Sequence, residues 1–358
     1  MSALEILVRG PNWTGDLVMA TPGFRALRAG LPGARITLQV QAKLLPLLAG
    51  APWFDALVPL GAGGTGPVSL LREARALRRL GRFDVGLCLP DSFESALLLR
   101  LAGVKRVVGY ARNARAPLLH QRVPFPSEAG RRGLIARELH VLGLVEALGC
   151  TRRGLAPELF VTDAEQAEAD AALRAAGVGA GERVALLAPG ASFGPSKLWP
   201  AESFAAVGNE LAREGVRVVL TGAPTERALC ARVAAALRRP ALDLSGVLGL
   251  GGLKGLMRRA RLLVANDAGA RHLATAFGVP CVLVMGPTSV EKTPLNLERV
   301  SVLSADVACR PCYLRDCPID HRCMTRVAPA AVAAEAARAW ADPAGFVGVQ
   351  QRVRGLAA

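Results

Sequence analysis

Short apolar runs alternate with amphipathic segments along most of this chain, and the alternation occurs twice. In the first set, strand-like runs fall at residues 6–9, 36–40, 56–60, 85–89 and 107–110. Helical patterns fall at 17–29, 69–80, 93–101 and 134–148. The break at Thr151-Arg152-Arg153-Gly154-Leu155-Ala156-Pro157 reads as an approach to a linker. A helical pattern over 164–176 follows, and the alternation restarts with strands at 184–188, 216–220, 262–265 and 281–285. Its helices are expected at 201–214, 226–237, 252–259 and 329–341. Strands that alternate with helices form parallel sheets, because a parallel partner needs a crossover long enough to hold a helix. The expectation is an α/β protein of two doubly wound, Rossmann-like domains over residues 1–155 and 156–341, with a weakly patterned tail at 342–358. A cleft is expected between the two carboxyl edges, where open α/β sheets bind ligands.

Composition narrows what such a chain binds. The 358 residues are 51% hydrophobic and carry a formal charge of +15, a folded polycation rather than a disordered one. The excess is shared by both halves, so the field belongs to the whole molecule and favours polyanionic or phosphorylated partners. Aromatics make up only 4% of the residues, too few for a base-stacking nucleic-acid surface, and nucleic acid is not expected as a partner. No apolar run reaches the ~18–20 residues that span a bilayer. The chain enters a strand by about Leu4 without a basic-then-apolar leader, which reads as cytoplasmic.

The strand-to-helix junctions hold the candidate chemistry. Ala265-Asn266-Asp267-Ala268-Gly269-Ala270-Arg271-His272 places a carboxylate and a helix start at one carboxyl edge. Free N–H groups at that start favour an anion, and Asp267 offers an acceptor for sugar hydroxyls; a plain Asp N-cap is the alternative. Arg9-Gly10-Pro11-Asn12-Trp13-Thr14-Gly15-Asp16 ends the first strand. It is neither a dinucleotide fingerprint nor a phosphate loop. Asp16 there suits a general base or another N-cap. Lys197 follows the strand at 184–188 on a loop, where it would neutralise a diphosphate or simply sit exposed. Gly222 lets a base or ribose approach the backbone, Glu226 accepts from ribose hydroxyls, and Thr288 offers a hydroxyl to phosphate or sugar.

Cys309, Cys312, Cys317 and Cys323 lie close together in sequence with His321 among them. The spacing is compatible with structural zinc or an iron–sulfur set, with a disulfide, or with free thiols shaping a loop. Cys88, Cys150, Cys230 and Cys281 sit in apolar settings and read as buried thiols.

Several of these segments, in order, resemble the lipopolysaccharide heptosyltransferases, the glycosyltransferase family that uses ADP-heptose. They are residues 9–16, Leu89-Pro90-Asp91-Ser92-Phe93-Glu94-Ser95-Ala96, residues 189–200, Thr221-Gly222-Ala223-Pro224-Thr225-Glu226, residues 266–274 and Gly286-Pro287-Thr288. Asn-Trp-Thr-Gly-Asp and Ser-Phe-Gly-Pro-Ser-Lys-Leu-Trp-Pro are nearer to the family's heptosyltransferase II branch, and the segment 309–324 resembles a Cys-rich stretch of many members. The resemblance implies a GT-B fold with acceptor on the first domain and ADP-heptose on the second. It implies single-step inversion without an obligate metal or cofactor. By position it makes Asp16 the base and Lys197 the diphosphate ligand. It makes Glu226 the ribose contact and Asp267 the heptose contact, with Gly269, Ala270 and His272 at the pyrophosphate and Thr288 near the phosphates. Asn12, Thr14, Lys105, Arg106 and Arg112 would meet the phosphorylated, carboxylated inner core. The acceptor would be lipid-anchored, with the enzyme peripheral at the anionic inner leaflet, where each basic residue adds about 1 kcal/mol.

One position departs from the family pattern. Ala268 stands where members usually carry Ser or Thr, so a hydroxyl is lost beside the donor, although backbone N–H groups still cradle phosphate. A transferase for another nucleotide-sugar, or a nucleotide-sugar or polyanion binder without catalysis, is the competing reading.

Overall fold

The computed structural model describes residues 3–61, 66–126 and 135–353. The chain divides into two compact units between Phe160 and Val161, where the sequence pattern sets the boundary at 155/156. Each unit is a parallel sheet flanked by helices.

The first unit holds strands β1 (Glu5–Arg9), β2 (Arg35–Gln41), β3 (Ala56–Leu60), β4 (Val85–Cys88), β5 (Arg106–Tyr110) and β6 (Gln121–Val123). Its helices are α1 (Thr14–Met19), α2 (Thr21–Gly30), α3 (Pro67–Leu80), α4 (Phe93–Leu101) and α5 (Arg137–Glu146). The strands order as β3-β2-β1-β4-β5-β6, all parallel, which is the Rossmann order. The order reverses between β1 and β4, so the segments leaving Arg9 and Cys88 flank the switch point.

Two helices differ from their sequence pattern. The helix expected at 17–29 starts earlier and is interrupted at Ala20, because Pro22 has no N–H for the Val18 carbonyl. Thr21 Oγ1 supplies the missing donor at 2.7 Å. The pattern at 134–148 yields α5, and its first residue, Leu134, lies outside the described residues.

The second unit holds α6 (Asp163–Ala175), β7 (Val184–Ala188), α7 (Ala201–Arg213), β8 (Val218–Leu220), α8 (Arg227–Ala235), β9 (Leu242–Asp243) and α9 (Leu250–Arg259). After these come β10 (Ala260–Asn266), α10 (Gly269–Ala276), β11 (Cys281–Val284), β12 (Val300–Ala305), α11 (Arg322–Thr325), α12 (Pro329–Ala341) and β13 (Gln350–Val353). The order is β13-β12-β11-β10-β7-β8-β9, again all parallel, with the switch between β7 and β10. β7 and β11 are buried throughout, which is why they read as unbroken apolar runs.

The expected tail is corrected here, since its residues 350–353 pair with β12 as the seventh strand. α6 opens with a capping box in which Thr162 and Glu165 exchange side-chain and backbone hydrogen bonds. Among the described residues no helix is long and apolar enough to cross a membrane.

Candidate functional site

In the first unit, β1 ends at the buried Arg9, whose guanidinium donates to the Gly10 carbonyl and to Asn12 Oδ1. That clamp fixes the turn that launches α1. Asn12 thus holds the loop, and Thr14 is the first residue of the helix. Asp16 lies in the first turn of α1 without capping it, which removes the N-cap alternative. Its Oδ1 lies 3.5 Å from Arg137 Nε, on the first residue of α5.

One helical turn on, Arg137 reaches His140 Nδ1 at 3.4 Å, and His140 Nε2 donates to Asp91 Oδ2 at 3.1 Å. The other Asp91 oxygen accepts from Arg115 at 2.7 Å. Arg115 is fully buried and donates besides to the Tyr110 and Pro90 carbonyls. Burial alone would raise the Asp91 carboxyl, but the His140 hydrogen bond and the charges of His140, Arg115 and Arg137 hold it below the ordinary carboxylate value. Burial lowers His140, against the pull of Asp91. Arg112 follows β5 at the same carboxyl edge, its guanidinium 3.9 Å from the Phe125 ring centre.

Lys105 and Arg106 are not part of this site. They stand at the amino end of β5, where Lys105 pairs with Asp84 at 2.8 Å and Arg106 N–H bonds the Asp84 carbonyl. In a parallel sheet that is the edge opposite Asp16, so their assignment to the acceptor is withdrawn. Sequence proximity to Arg112 suggested them; the length of one strand separates them.

In the second unit, the switch point gathers side chains from the segments after β7, β10 and β11. Asp267 Oδ2 accepts from Lys197 Nζ at 2.7 Å and from Thr288 Oγ1 at 2.7 Å. Its Oδ1 pairs with Arg271 at 3.2 Å, one turn along on α10. Burial would raise this carboxyl, yet the Lys197 and Arg271 charges and the Lys197 and Thr288 hydrogen bonds hold it well below the usual carboxylate range. Asn266 locks the two switch-point loops together, its Nδ2 donating to the Pro189 carbonyl at 2.7 Å and its Oδ1 accepting from Trp199 N–H at 3.2 Å.

Gly269 and Ala270 begin α10, whose N-cap, Ala268, brings no side-chain acceptor, so the first N–H groups have no side-chain cap. His272 lies behind them, pushed down to about 3 by burial and by the Arg271 charge, and so stays neutral. Glu226 turns back to accept from Ala223 N–H at 2.7 Å. A Cβ at Gly190 would meet its carboxyl at 2.0 Å, and one at Gly222 would stand 3.0 Å from it. The close approach that glycine permits at these two positions is therefore made by Glu226 itself.

The cysteine segment braces this cluster. Ser196 N–H and Oγ donate to the Arg315 and Leu314 carbonyls, and His321 Nε2 donates to the Ser196 carbonyl at 2.7 Å. Arg310 donates to the Gly286 and Thr288 carbonyls. The four thiols are free: Cys309 and Cys312 exposed, Cys317 half-buried and Cys323 buried. Among the described residues no three His, Cys, Asp or Glu side chains are arranged to hold a metal ion.

The pattern of glycosyltransferase family 9 (heptosyltransferase) matches residues 70–322. The chain belongs to this family. The match takes in Asp91, Lys197, Glu226, Asp267 and Thr288. The chain is 29% identical over 298 residues to lipopolysaccharide heptosyltransferase 2 of Escherichia coli K12, covering 81% of this chain and 85% of that one. It is 28% identical over 311 residues to lipooligosaccharide heptosyltransferase 2 of Haemophilus influenzae, covering 84% and 88%. The solved structure of E. coli ADP-heptose LPS heptosyltransferase II superposes with a TM-score of 0.78 at 26% identity, covering 95% of this chain and 99% of that one. Fold and family agree: two Rossmann-like domains of the GT-B class.

Sequence reasoning missed Asp91, Arg115, Arg137, His140 and Arg271. A carboxylate three residues past the end of β4 was the available signal for Asp91. Arg137 and His140 read as an ordinary helix, and Arg271 was legible only as the i+4 partner of Asp267.

Proposed function

We propose that this chain transfers heptose from ADP-heptose to the inner core of lipopolysaccharide by one displacement that inverts the anomeric carbon. Asp16 takes the proton of the acceptor hydroxyl as that oxygen bonds to the anomeric carbon. The bond from that carbon to the diphosphate oxygen breaks, and ADP leaves with the electron pair. Residues 1–155 serve the acceptor and 156–341 the donor. Lys197 and Arg271 neutralise the charge that develops on the leaving diphosphate, in a step with no obligate metal or other cofactor. The Gly269 and Ala270 N–H groups hold phosphate oxygens, with neutral His272 behind them, and Thr288 stands near the phosphates while its hydroxyl donates to Asp267. Glu226, beside Gly222, takes the ribose hydroxyls and Asp267 the heptose hydroxyls. Thr14 and Arg112 line the acceptor side.

The observation that carries this reading is the placement of Asp16 at one switch point and the Lys197–Asp267 cluster at the other, in a chain of this family. The outward side of α3 supports peripheral contact with an anionic inner leaflet from the cytoplasm. Arg72, Arg75, Arg78 and Arg79 are exposed there, with no ion pair among the described residues. Val68, 79% exposed, and Leu71 lie beside them.

The test presents a heptose-deficient lipopolysaccharide acceptor on vesicles of anionic phospholipid and follows ADP release from ADP-heptose. Transfer by the native chain is expected, with a loss of about 100-fold or more in Asp16→Ala while ADP binding persists. Undiminished turnover by Asp16→Ala would end its assignment as base, and preference for a UDP-sugar would replace the donor. Arg75→Glu with Arg79→Glu should weaken co-sedimentation with those vesicles; unchanged sedimentation removes α3 from the contact.

A further inference from the structure

The carboxyl edge of the first sheet carries a continuous polar chain of which the transfer step uses only the last member. It runs from Arg115 through Asp91, His140 and Arg137 to Asp16, alternating cation, anion, neutral ring, cation and anion. Its inner end is rigid. Arg115 is fully buried and donates to two carbonyls besides Asp91. The His140 side chain is 4% exposed, its ring lies 4.6 Å from that of Tyr110, and the Tyr110 hydroxyl donates to the His140 carbonyl at 3.0 Å.

The chemistry of the partners fixes the tautomer. Ionised Asp91 only accepts, so the proton of the neutral ring sits on Nε2. Nδ1 then presents a lone pair, and Arg137, which only donates, is its complement. A ring with the proton on Nδ1 would repel both neighbours.

We infer that His140 is a positioning residue for the transfer, holding the Arg137 guanidinium so that it fixes one oxygen of the Asp16 carboxylate and leaves the other free. The inference rests on the reading of Asp16 as the base. Oδ1 faces Arg137 Nε as an ion pair, and Oδ2 accepts no hydrogen bond among the described residues. A carboxylate held by one oxygen presents the other along a defined direction, and that direction sets the reach to the acceptor hydroxyl. Without the Nδ1 contact, Arg137 is a long, partly exposed side chain with no hydrogen bond to hold it among the described residues.

Two substitutions separate the two ring nitrogens. Asparagine keeps an acceptor near the Nδ1 position, and glutamine reaches the Nε2 position but leaves Arg137 without one. For His140→Gln, kcat should fall by about 10- to 100-fold, the scale of a misplaced catalytic group, with the KM for the ADP-sugar unchanged. His140→Asn should stay within a few-fold of the native kcat. Arg137→Gln, a change at a partly exposed position, should reproduce the loss seen in His140→Gln and keeps the test decisive if the buried substitutions fail to fold. Native turnover in Arg137→Gln, or equal losses of kcat in folded His140→Asn and His140→Gln, overturns the inference. Asp16→Ala runs alongside: full activity there refutes the base assignment, whereas an inactive Asp16→Ala with a fully active His140→Gln refutes only the role of His140.

Discussion

Replacing Asp267 by asparagine tests the electrostatics of the donor cluster most directly. The carboxylate is the single anion shared by Lys197, Arg271 and Thr288. The side chains of Asp267, Lys197 and Arg271 are 15%, 13% and 2% exposed, so little solvent screens them. In Asp267→Asn both cations lose the counter-charge they share. Removing one partner from a buried pair costs about 3–5 kcal/mol. In a unit of this size each kcal/mol lowers the melting temperature by roughly 2–4 °C, so the second unit should melt about 6–20 °C lower.

The complementary change has a smaller effect. Lys197→Met leaves Asp267 paired with Arg271 and bonded to Thr288, and the stability loss should be about 1.5–3 kcal/mol, that of one charge-assisted hydrogen bond. Scanning calorimetry reads the melting temperature, and added ADP should restore more stability to Asp267→Asn than to Lys197→Met, because a diphosphate replaces the missing anion. A melting temperature for Asp267→Asn within about 2 °C of the native value, or a larger loss in Lys197→Met, would refute the picture of Asp267 as the shared counter-ion.

Two further outcomes follow from α10. Ala268→Ser restores an acceptor at the N-cap and should stabilise the second unit by about 1 kcal/mol, read as a rise in melting temperature; no rise would mean the helix start is already satisfied. His272 titrates near 3 in the folded chain against about 6.5 unfolded, so the unfolded chain binds the extra proton. Its stabilising effect is complete above pH 6.5 and fades by up to about 1.4 kcal/mol per pH unit as pH falls toward 3. Urea titrations of His272→Gln from pH 7 to pH 4 should give a shallower slope than the native chain, and parallel slopes would show that His272 protonates freely when folded.

Much of this architecture was written locally. The apolar runs specified the central strands, because a strand buried on both faces must be apolar along its length. β6, β9, β12 and β13 were not read from the pattern. β6, β9 and β13 are short, and they lie at or next to a sheet edge, where burial imposes little. β12 is fully buried, but its two serines break the apolar run; Ser301 is accommodated by donating to Glu335 at 2.9 Å. The strand-to-helix junctions announced Asp16 and Asp267, since a carboxylate just past a buried strand has few places to go but the carboxyl edge.

What the sequence determined, then, was two parallel sheets, their family, and the anionic and phosphate-seeking residues at their edges. Tertiary structure alone decided which of those residues meet. Lys105 and Arg112 are close in sequence, yet they sit at opposite edges because β5 runs between them. Asp91 and His140 are 49 residues apart and share a hydrogen bond because α5 packs back over the switch point. Hydrophobic periodicity reports which face of an element is buried. It carries no information about which strand a given strand lies beside, and that adjacency is what turns isolated charged residues into a site.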